Sequence, residues 1–308
     1  MCARVYSILC LAAVIAATPA LLPAQRHHRD DDDDVSSRID TTVALSSGGV
    51  VELSLISGEI KVTSWNRDQV RIHATSDGGL LQFDASGGRV SLSVRSDHGN
   101  MGDTEYEVTI PAGARLINHS VSADITSDGG SDVESRSVSG DVTISNVTGR
   151  ATIESVSGTL KATHVGRGLR ANTVSGDLTA NDVTGDIDAQ STSGEIVLGA
   201  TRSSFVRTQT VSGDTRFGGT VDRAGRYEFH SHSGDIVLAV PSTGVTFDVN
   251  TFSGDVQSDY PMTLQPGSEV GQKHMEFSIN GGGARVTAET FSGDITVERP
   301  GHSSHDED

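Results

Sequence analysis

Apolar and polar residues alternate along most of the chain in runs of about five residues, which is the period of a β-strand and not of a helix. Counted from recurring glycines, the second and fourth residues are apolar, as in Val142 and Ile144 after Gly140. A further apolar residue stands shortly before each turn. We interpret these residues as a third inward position: Val138, Val147, Val156, Val165, Val174, Val183, Val211, Phe252 and Phe291.

The turns repeat as a Ser/Thr-Gly signal that an acidic residue usually follows. Its glycines are Gly140, Gly158, Gly176, Gly194, Gly213, Gly234, Gly254 and Gly293, so successive glycines are 18, 18, 18, 19, 21, 20 and 39 residues apart. The last interval is about two periods, which predicts a lost glycine or an insertion. Weaker signals at half-period, Gly149, Arg167 and Gly185, divide each repeat into two strands and two corners. Polar pairs fill the corners: Ser145-Asn146, Asn172-Thr173 and Asn181-Asp182.

This pattern predicts an all-β fold, a β-solenoid or β-helix-like stack of coils of about 18–21 residues. Residues 121–299 would form roughly nine coils at the usual strand spacing of ~4.8 Å. A loop or hairpin is expected to interrupt them at about residues 261–283. Less regular alternation over residues 38–120 predicts an N-terminal β region that caps the open end of the stack.

The two ends of the chain differ from this body. Residues 1–24 predict a signal peptide, because Arg4 precedes a short uncharged run and cleavage is expected after Ala24. A membrane anchor is disfavoured, since that run is shorter than the ~20 residues a spanning helix needs. Residues 25–37 predict an acidic disordered linker, and residues 300–308 a polar tail. Both cysteines, Cys2 and Cys10, lie in the signal peptide, so the mature chain is expected to lack thiols and a transmembrane anchor.

Composition narrows the function. Aromatic residues make up 4% of the chain, which fits a thin core of Val, Ala and Leu. The net charge of −18 would repel phosphate backbones, so nucleic acid is not an expected partner.

The residue after each glycine lies along one edge of the expected stack: Asp141, Thr159, Asp177, Glu195, Asp214, Asp235, Asp255 and Asp294. One hypothesis is that each carboxylate accepts backbone N–H bonds within its own turn. The other is a calcium ladder between coils, with Asp177, Asp214 and Asp235 as the candidate metal ligands. One glycine in nine residues, where calcium-binding nonapeptides have three, favours turn capping. No cofactor is expected.

Two segments carry a family resemblance. The segment Ile56 to Ile72, with Gly58, Trp65 and Val70, resembles the opening of a bacterial family of unknown function whose members are described as putative adhesins with β-strand repeats. Tyr106 to Gly113 resembles the strand and Pro-Ala-Gly turn that precede that family's repeats. The resemblance covers about Ser36 to Arg299. It implies a solenoid in the envelope or at the surface, and it brings no catalytic residues.

No group of residues converges on a reaction site. Charge repeats evenly with the coils, and no nucleophile elbow, zinc-protease motif or phosphate loop is present. His27, His28, His302 and His305 lie in the polar ends, and His232 occupies an inward slot beside His230. The sequence therefore predicts an exported, non-catalytic scaffold in the periplasm, at the surface or in the medium.

Such a scaffold would present an extended acidic face to an envelope or surface protein or glycan. Two alternatives stay open. One is a carbohydrate-binding module, for which Trp65 and Tyr260 are candidate sugar-stacking residues. The other is a glycan-active β-helix enzyme.

Overall fold

The computed structural model describes residues 37–95, 102–241, 244–261, 263–264 and 274–301. The predicted signal peptide, the linker up to residue 36 and the tail beyond Gly301 lie outside these ranges. Within them the chain is all-β. Its strands are β1 Ser37–Ala44, β2 Val50–Trp65, β3 Gln69–Ser76, β4 Leu80–Ser86, β5 Arg89–Arg95, β6 Thr104–Pro111, β7 Arg115–Asp128, β8 Val133–Ser139, β9 Val142–Val147, β10 Ala151–Ser157, β11 Leu160–Val165, β12 Leu169–Ser175, β13 Leu178–Val183, β14 Ile187–Ser193, β15 Ile196–Ser212, β16 Thr215–Ser233, β17 Ile236–Ala239, β18 Val245–Ser253, β19 Val256–Ser258, β20 Thr263–Leu264, β21 His274–Ile279, β22 Ala284–Ser292 and β23 Ile295–Glu298.

Strands of successive repeats pair in parallel and in register. Ile153 of β10 lies opposite Ala171 of β12, which lies opposite Ala189 of β14. These partners are 18 residues apart, so each repeat returns the chain to the same place one strand further on. The pairings form two continuous ladders of strands, face 1 and face 2, which the long strands β2, β7, β15 and β16 join. Face 1 runs β4-β5-β2-β7-β8-β10-β12-β14-β15-β16-β22-β18-β21-β20, and face 2 runs β1-β3-β6-β2-β7-β9-β11-β13-β15-β16-β17-β23-β19.

The core lies between the two faces and is built from the predicted alternation. Val142, Ile144, Leu178 and Ala180, the second and fourth residues after their glycines, are all buried. Their outward neighbours, such as Thr143 and Thr179, are partly exposed. The prediction of these two inward positions is confirmed.

The third inward position is confirmed on face 2 and wrong on face 1. Val147, Val165 and Val183 on face 2 are buried, and Val165 is only 1% exposed. At the equivalent place on face 1, Val174 is 46% exposed, as are to a similar degree Val138, Val156, Val211, Phe252 and Phe291.

The cause of this difference is the backbone of the preceding residue. Asn146, His164 and Asp182 have φ near +50°, and this left-handed residue turns the next side chain inward. The described residues of face 1 have no such kink at this place, so period-two alternation continues and buries Ser155 and Thr173 instead. Asn172-Thr173 is therefore strand and not a corner, which corrects the prediction.

The glycine corners bring the coils into close contact. At Gly176 the backbone has φ +156°, and an added Cβ would lie 2.9 Å from the carbonyl carbon of Gly158 and would overlap its oxygen. The same glycine-on-glycine contact recurs at Gly158, Gly194, Gly213, Gly234, Gly293 and Gly254, whereas Gly140 contacts the backbone of Ala123. A side chain at these positions would push two coils apart.

Antiparallel strands cover both faces at the N-terminal end of the stack and face 1 at the other end. At the N-terminal end β3 pairs antiparallel with β1 and β6, and β4 pairs antiparallel with β5. At the other end β21 pairs antiparallel with β18, and β20 pairs with β21. These last strands belong to the predicted insertion at residues 261–283, which follows the penultimate coil in sequence but lies at the end of the stack.

The last two coils are stacked in the reverse of their sequence order. Strand β22 pairs with β16 on one side and with β18 on the other, and β23 likewise lies between β17 and β19. The C-terminal coil is thus inserted between two coils that precede it in the chain. This placement and the capping hairpin account for the interval of 39 residues between Gly254 and Gly293.

Candidate functional site

One column of exposed apolar side chains follows the glycine corner along the stack. We call it the corner ladder. In stacking order its ten positions are Ile56, Val121, Val138, Val156, Val174, Thr192, Val211, His232, Phe291 and Phe252. Each lies two residues before the corner glycine or its equivalent, at the end of a face 1 strand. At a strand spacing of ~4.8 Å, the ladder is roughly 43 Å long.

The ladder contains nearly all of the exposed large hydrophobic side chains of the described residues. Of their nine exposed large hydrophobic side chains, eight are in the ladder, and Leu80 is the ninth. Soluble proteins expose single apolar residues at random, but a contiguous set of them marks a contact surface. Six of the eight apolar positions, all except Ile56 and Val121, were predicted to point into the core. Thr192 and His232, polar residues at the same position, are the sequence signal that it is exposed.

Three aromatic rings close the ladder at the C-terminal end. Phe291 stacks on Phe252 with ring centroids 4.8 Å apart and planes 4° from parallel. His232 stacks on the other side of Phe291 at 5.1 Å and 12°. His232 is exposed, so its predicted inward position is wrong. Because both faces of Phe291 are covered by neighbouring rings, Phe291 presents its ring edge to solvent.

A shallow groove runs beside the ladder on face 1. Near the N-terminal end it has a volume of ≈ 490 Å³ and lies between Val138, Val156 and Val174 on one side and Arg136, Glu154 and Asn172 on the other. Near the C-terminal end an equivalent groove of ≈ 480 Å³ lies between Phe252 and Phe291 and the polar residues His230, Asn250 and Glu289. The buried Ser and Thr column lines both grooves from below.

Carboxylates form a second column on the other side of the corner. We call it the acid row: Asp124, Asp141, Asp177, Glu195, Asp214, Asp235, Asp294 and Asp255, in stacking order, with the uncharged Thr159 in the place between Asp141 and Asp177. Asp177 Oδ1 accepts a hydrogen bond from the backbone N–H of Glu195 at 3.0 Å, and Asp214 Oδ1 accepts one from Asp235 at 2.9 Å. The donor in each case belongs to the next coil. The carboxylates thus connect coils and do not cap their own turns, which corrects that hypothesis.

These hydrogen bonds hold the carboxylates in a regular line. Unit charges ~4.8 Å apart repel by roughly 0.9 kcal/mol in bulk water, so the row carries a cumulative cost. On face 1 the outward charges are instead paired between coils, as in Arg115–Glu134 at 3.2 Å and Arg170–Asp188 at 3.2 Å. In the acid row of the described residues, the ion pair found is Glu195–Arg216 at 2.8 Å.

Arg136 shows how firmly the face 1 charges are compensated. Its Nε donates to Glu154 Oε2 at 2.8 Å, and a second guanidinium nitrogen contacts Glu134. The hydrogen bond to Glu154, followed by the charge of Glu134, raises the pKa of the Arg136 guanidinium above its ordinary value. The aspartates of the acid row have no comparable cation beside them in the part of the chain that the structure describes.

The candidate calcium ligands all lie in the acid row. Asp214 and Asp235 occupy adjacent coils, whereas Glu195 separates Asp177 from Asp214. Among the described residues, no group of three or more His, Cys, Asp or Glu side chains is arranged to hold a metal ion. The calcium ladder stays a hypothesis.

The two aromatic residues named as sugar-stacking candidates are partly occupied. Tyr260 is buried, and its hydroxyl donates to the Val240 carbonyl at 2.7 Å, so it does not offer a free ring face. Trp65 donates from Nε1 to the Gln69 carbonyl at 2.7 Å, and the Arg67 guanidinium lies 4.9 Å above its ring. The candidacy of Tyr260 is therefore wrong, while Trp65 keeps a partly exposed ring.

Fold and surface together define a parallel β-repeat protein with one apolar edge. The Toastrack DUF4097 family model matches residues 49–298, and the chain belongs to this family. The resemblance to putative adhesins of unknown function is thereby confirmed. No curated protein matches the chain. None of the described residues forms a helix with the length and apolarity that crossing a membrane requires.

Three crystal structures of bacterial proteins are similar to the chain. A putative adhesin from Parabacteroides distasonis shares 12% identity over 86% of this chain and 98% of that one, with a TM-score of 0.46. A putative adhesin from Parabacteroides merdae shares 12% identity over 85% and 95%, with a TM-score of 0.36. A putative cell adhesion protein from Clostridium sporogenes shares 8% identity over 85% and 100%, with a TM-score of 0.20.

Proposed function

We propose that this protein is an exported, non-catalytic β-solenoid scaffold of the cell envelope or surface that binds a protein or glycan partner along one edge. The observation that carries the proposal is the concentration of exposed apolar side chains in one column, eight of nine among the described residues. A repeat that only needed to fold could place Thr or Ser there, as it does at Thr192. The stack keeps this column regular over about 43 Å, which is the property of a scaffold.

The remaining features support a binding role. Several outward charges of face 1 are compensated in ion pairs between coils, and the buried Tyr227 and Tyr260 donate to backbone carbonyls. Charges that are paired and hydroxyls that are bonded favour a contact surface over acid–base chemistry at these places. Export is proposed from the signal-like residues 1–24, and an acidic presenting surface from the net charge of −18 and the acid row.

The test combines location and turnover. Fractionation of the producing bacterium is expected to place the protein in the periplasm, at the surface or in the medium, with a mature N-terminus at Gln25. Purified residues 25–308 are expected to bind isolated envelopes and to release no reducing ends from a panel of envelope polysaccharides. A cytoplasmic location, or turnover abolished by one substitution that leaves the fold intact, would overturn the proposal.

A further inference from the structure

The composition of the corner ladder is not required by the fold. Thr192 and His232 occupy the same position as Val174 and Phe291, and their strands pair in the same register. A polar residue is thus compatible with the winding. The apolar side chains at the eight other positions therefore need an explanation outside the fold, and a covered surface is the physical one.

The aromatic end of the ladder indicates what kind of molecule covers it. A sugar ring packs against an open aromatic face, but both faces of Phe291 are taken by Phe252 and His232. At this position the ring edge of Phe291 stays accessible, and along most of the ladder the accessible groups are the methyl groups of valines in a line. Aliphatic side chains of a polypeptide fit between such groups, because they need contact area and no flat face.

The negative charge of the acid row beside the ladder favours a polypeptide that carries positive charge. The acid row lies three residues further along each repeat, so Val174 and Asp177 are neighbours around one corner. Asp141, Asp177 and Asp235 are exposed, and one oxygen of each is held by the backbone N–H of the next coil. Their charge is fixed in place and lacks a cation among the described residues. A partner with lysine or arginine beside an apolar row would satisfy both columns at once.

We propose that the corner ladder and the acid row together form a docking strip for a cationic amphipathic polypeptide. This inference rests on the proposed binding function and names its partner class. A second copy of this chain is less suited, because it brings the same row of carboxylates and the same net charge of −18. An anionic polysaccharide is disfavoured for the same electrostatic reason.

The test uses a fluorescent peptide of about 20 residues, made of leucine and lysine in an amphipathic order, and a scrambled peptide of identical composition. Anisotropy titrations measure the binding of both peptides to residues 25–308. Wild type is expected to bind the ordered peptide at least about tenfold more tightly than the scrambled one. Raising the salt concentration should weaken the binding of both peptides, because exposed charges are screened.

Two double variants separate the contributions of the columns. Val156→Thr with Val174→Thr copies the native Thr192, so the fold is retained, and it should remove the preference for the ordered peptide. Asp141→Asn with Asp177→Asn keeps the Oδ1 acceptors that bond to the next coil. This variant should bind both peptides more weakly, and its affinity should depend less on salt concentration. The matched control is Val197→Thr with Val237→Thr on face 2, where both side chains are partly exposed, and it should change nothing.

Several outcomes would contradict the proposed docking strip. Equal binding of ordered and scrambled peptides by wild type would reduce the attraction to net charge alone. A ladder variant that binds like wild type would place the contact elsewhere. Sedimentation that shows a wild-type dimer dissociated by the ladder substitutions would assign the ladder to a second copy. In each case envelope binding by the wild type would leave the proposed function standing, whereas turnover or a cytoplasmic location would remove that function independently.

Discussion

A methyl group at a corner glycine should separate two coils of the stack. In the variant Gly176→Ala, the new Cβ would lie 2.9 Å from the carbonyl carbon of Gly158 and overlap its oxygen. Both contacts are backbone, so no flexible side chain can move away. The coils would have to part locally, and the hydrogen bonds from Gly158 N to Ser175 O at 3.3 Å and from Gly176 N to Ser193 O at 3.0 Å would weaken.

The magnitude follows from two contributions. A residue other than glycine at φ +156° costs roughly 1–3 kcal/mol, and two weakened backbone hydrogen bonds cost roughly 1–3 kcal/mol. The sum of about 2–6 kcal/mol is a large part of the 5–15 kcal/mol that typically stabilises a domain. With a urea slope of about 3 kcal/mol per M, the unfolding midpoint should fall by roughly 1 M.

The control is Gly218→Ala in β16, where the nearest atom to a new Cβ is the Leu198 carbonyl oxygen at 3.9 Å. That change should stay within about 1 kcal/mol of wild type. Urea unfolding followed by circular dichroism reports all strands, whereas fluorescence of Trp65, the single tryptophan, reports the N-terminal part of the stack. Equal midpoints for Gly176→Ala and Gly218→Ala would refute the close-contact argument. Diverging probes in Gly176→Ala alone would show that the stack has split at this corner.

Two further predictions concern burial. Val165→Ala should lower the free energy of unfolding by about 2–3 kcal/mol, because Val165 is 1% exposed. Val174→Ala should change it by less than about 0.5 kcal/mol, because Val174 is 46% exposed. Equal shifts of the urea midpoint would contradict the assignment of Val165 as inward and Val174 as outward. Burial raises the pKa of Tyr106 above that of the phenol in the unfolded chain, which begins to ionise at about pH 10. The contribution of Tyr106 to stability is therefore complete below about pH 10 and is lost as the pH rises toward the pKa in the folded protein. Tyr106→Phe should reduce the fall of the unfolding free energy above pH ~10, and an unchanged slope would show that other groups cause it.

The repeat itself could be read from the sequence because its signals are local. Glycine at one corner and apolar residues two and four positions later are dictated by the close approach of coils and by strand alternation. Gly176, Leu178 and Ala180 show both, and the structure confirms them. The all-β class follows from the same two signals.

The difference between the two halves of a repeat was missed because both halves were treated as one nine-residue unit. The residue before the buried Val165 is His164, with φ +55°, and at the same place before the exposed Val156 stands Ser155. Asn, Asp and His tolerate the left-handed conformation far better than Ser or Thr in a strand. The distinction was therefore present in the sequence, in the identity of a polar residue and not in the apolar pattern.

The hydrogen bonds from the acid row to the next coil could not be predicted from the sequence, because they depend on how far each corner is offset from the one it stacks on. An aspartate side chain such as Asp177 reaches the N–H of the next coil, and the longer Glu195 makes no such bond to Asp214 among the described contacts. The stacking order of the last coils was equally hidden, because nothing in a periodic sequence states which repeat pairs with which. Only the unusual interval before Gly293 pointed to an irregularity.

That irregular order shapes the corner ladder at its C-terminal end. Phe252 and His232 belong to coils that are consecutive in sequence, yet Phe291 from the last coil lies between them and stacks on both. The aromatic group therefore exists only when β22 has entered the stack between β16 and β18. Among the described residues β22 and β23 are the last strands in sequence, and β22 supplies Phe291 to this part of the ladder. The surface proposed to bind a partner thus depends at this end on completion of the chain's own stack.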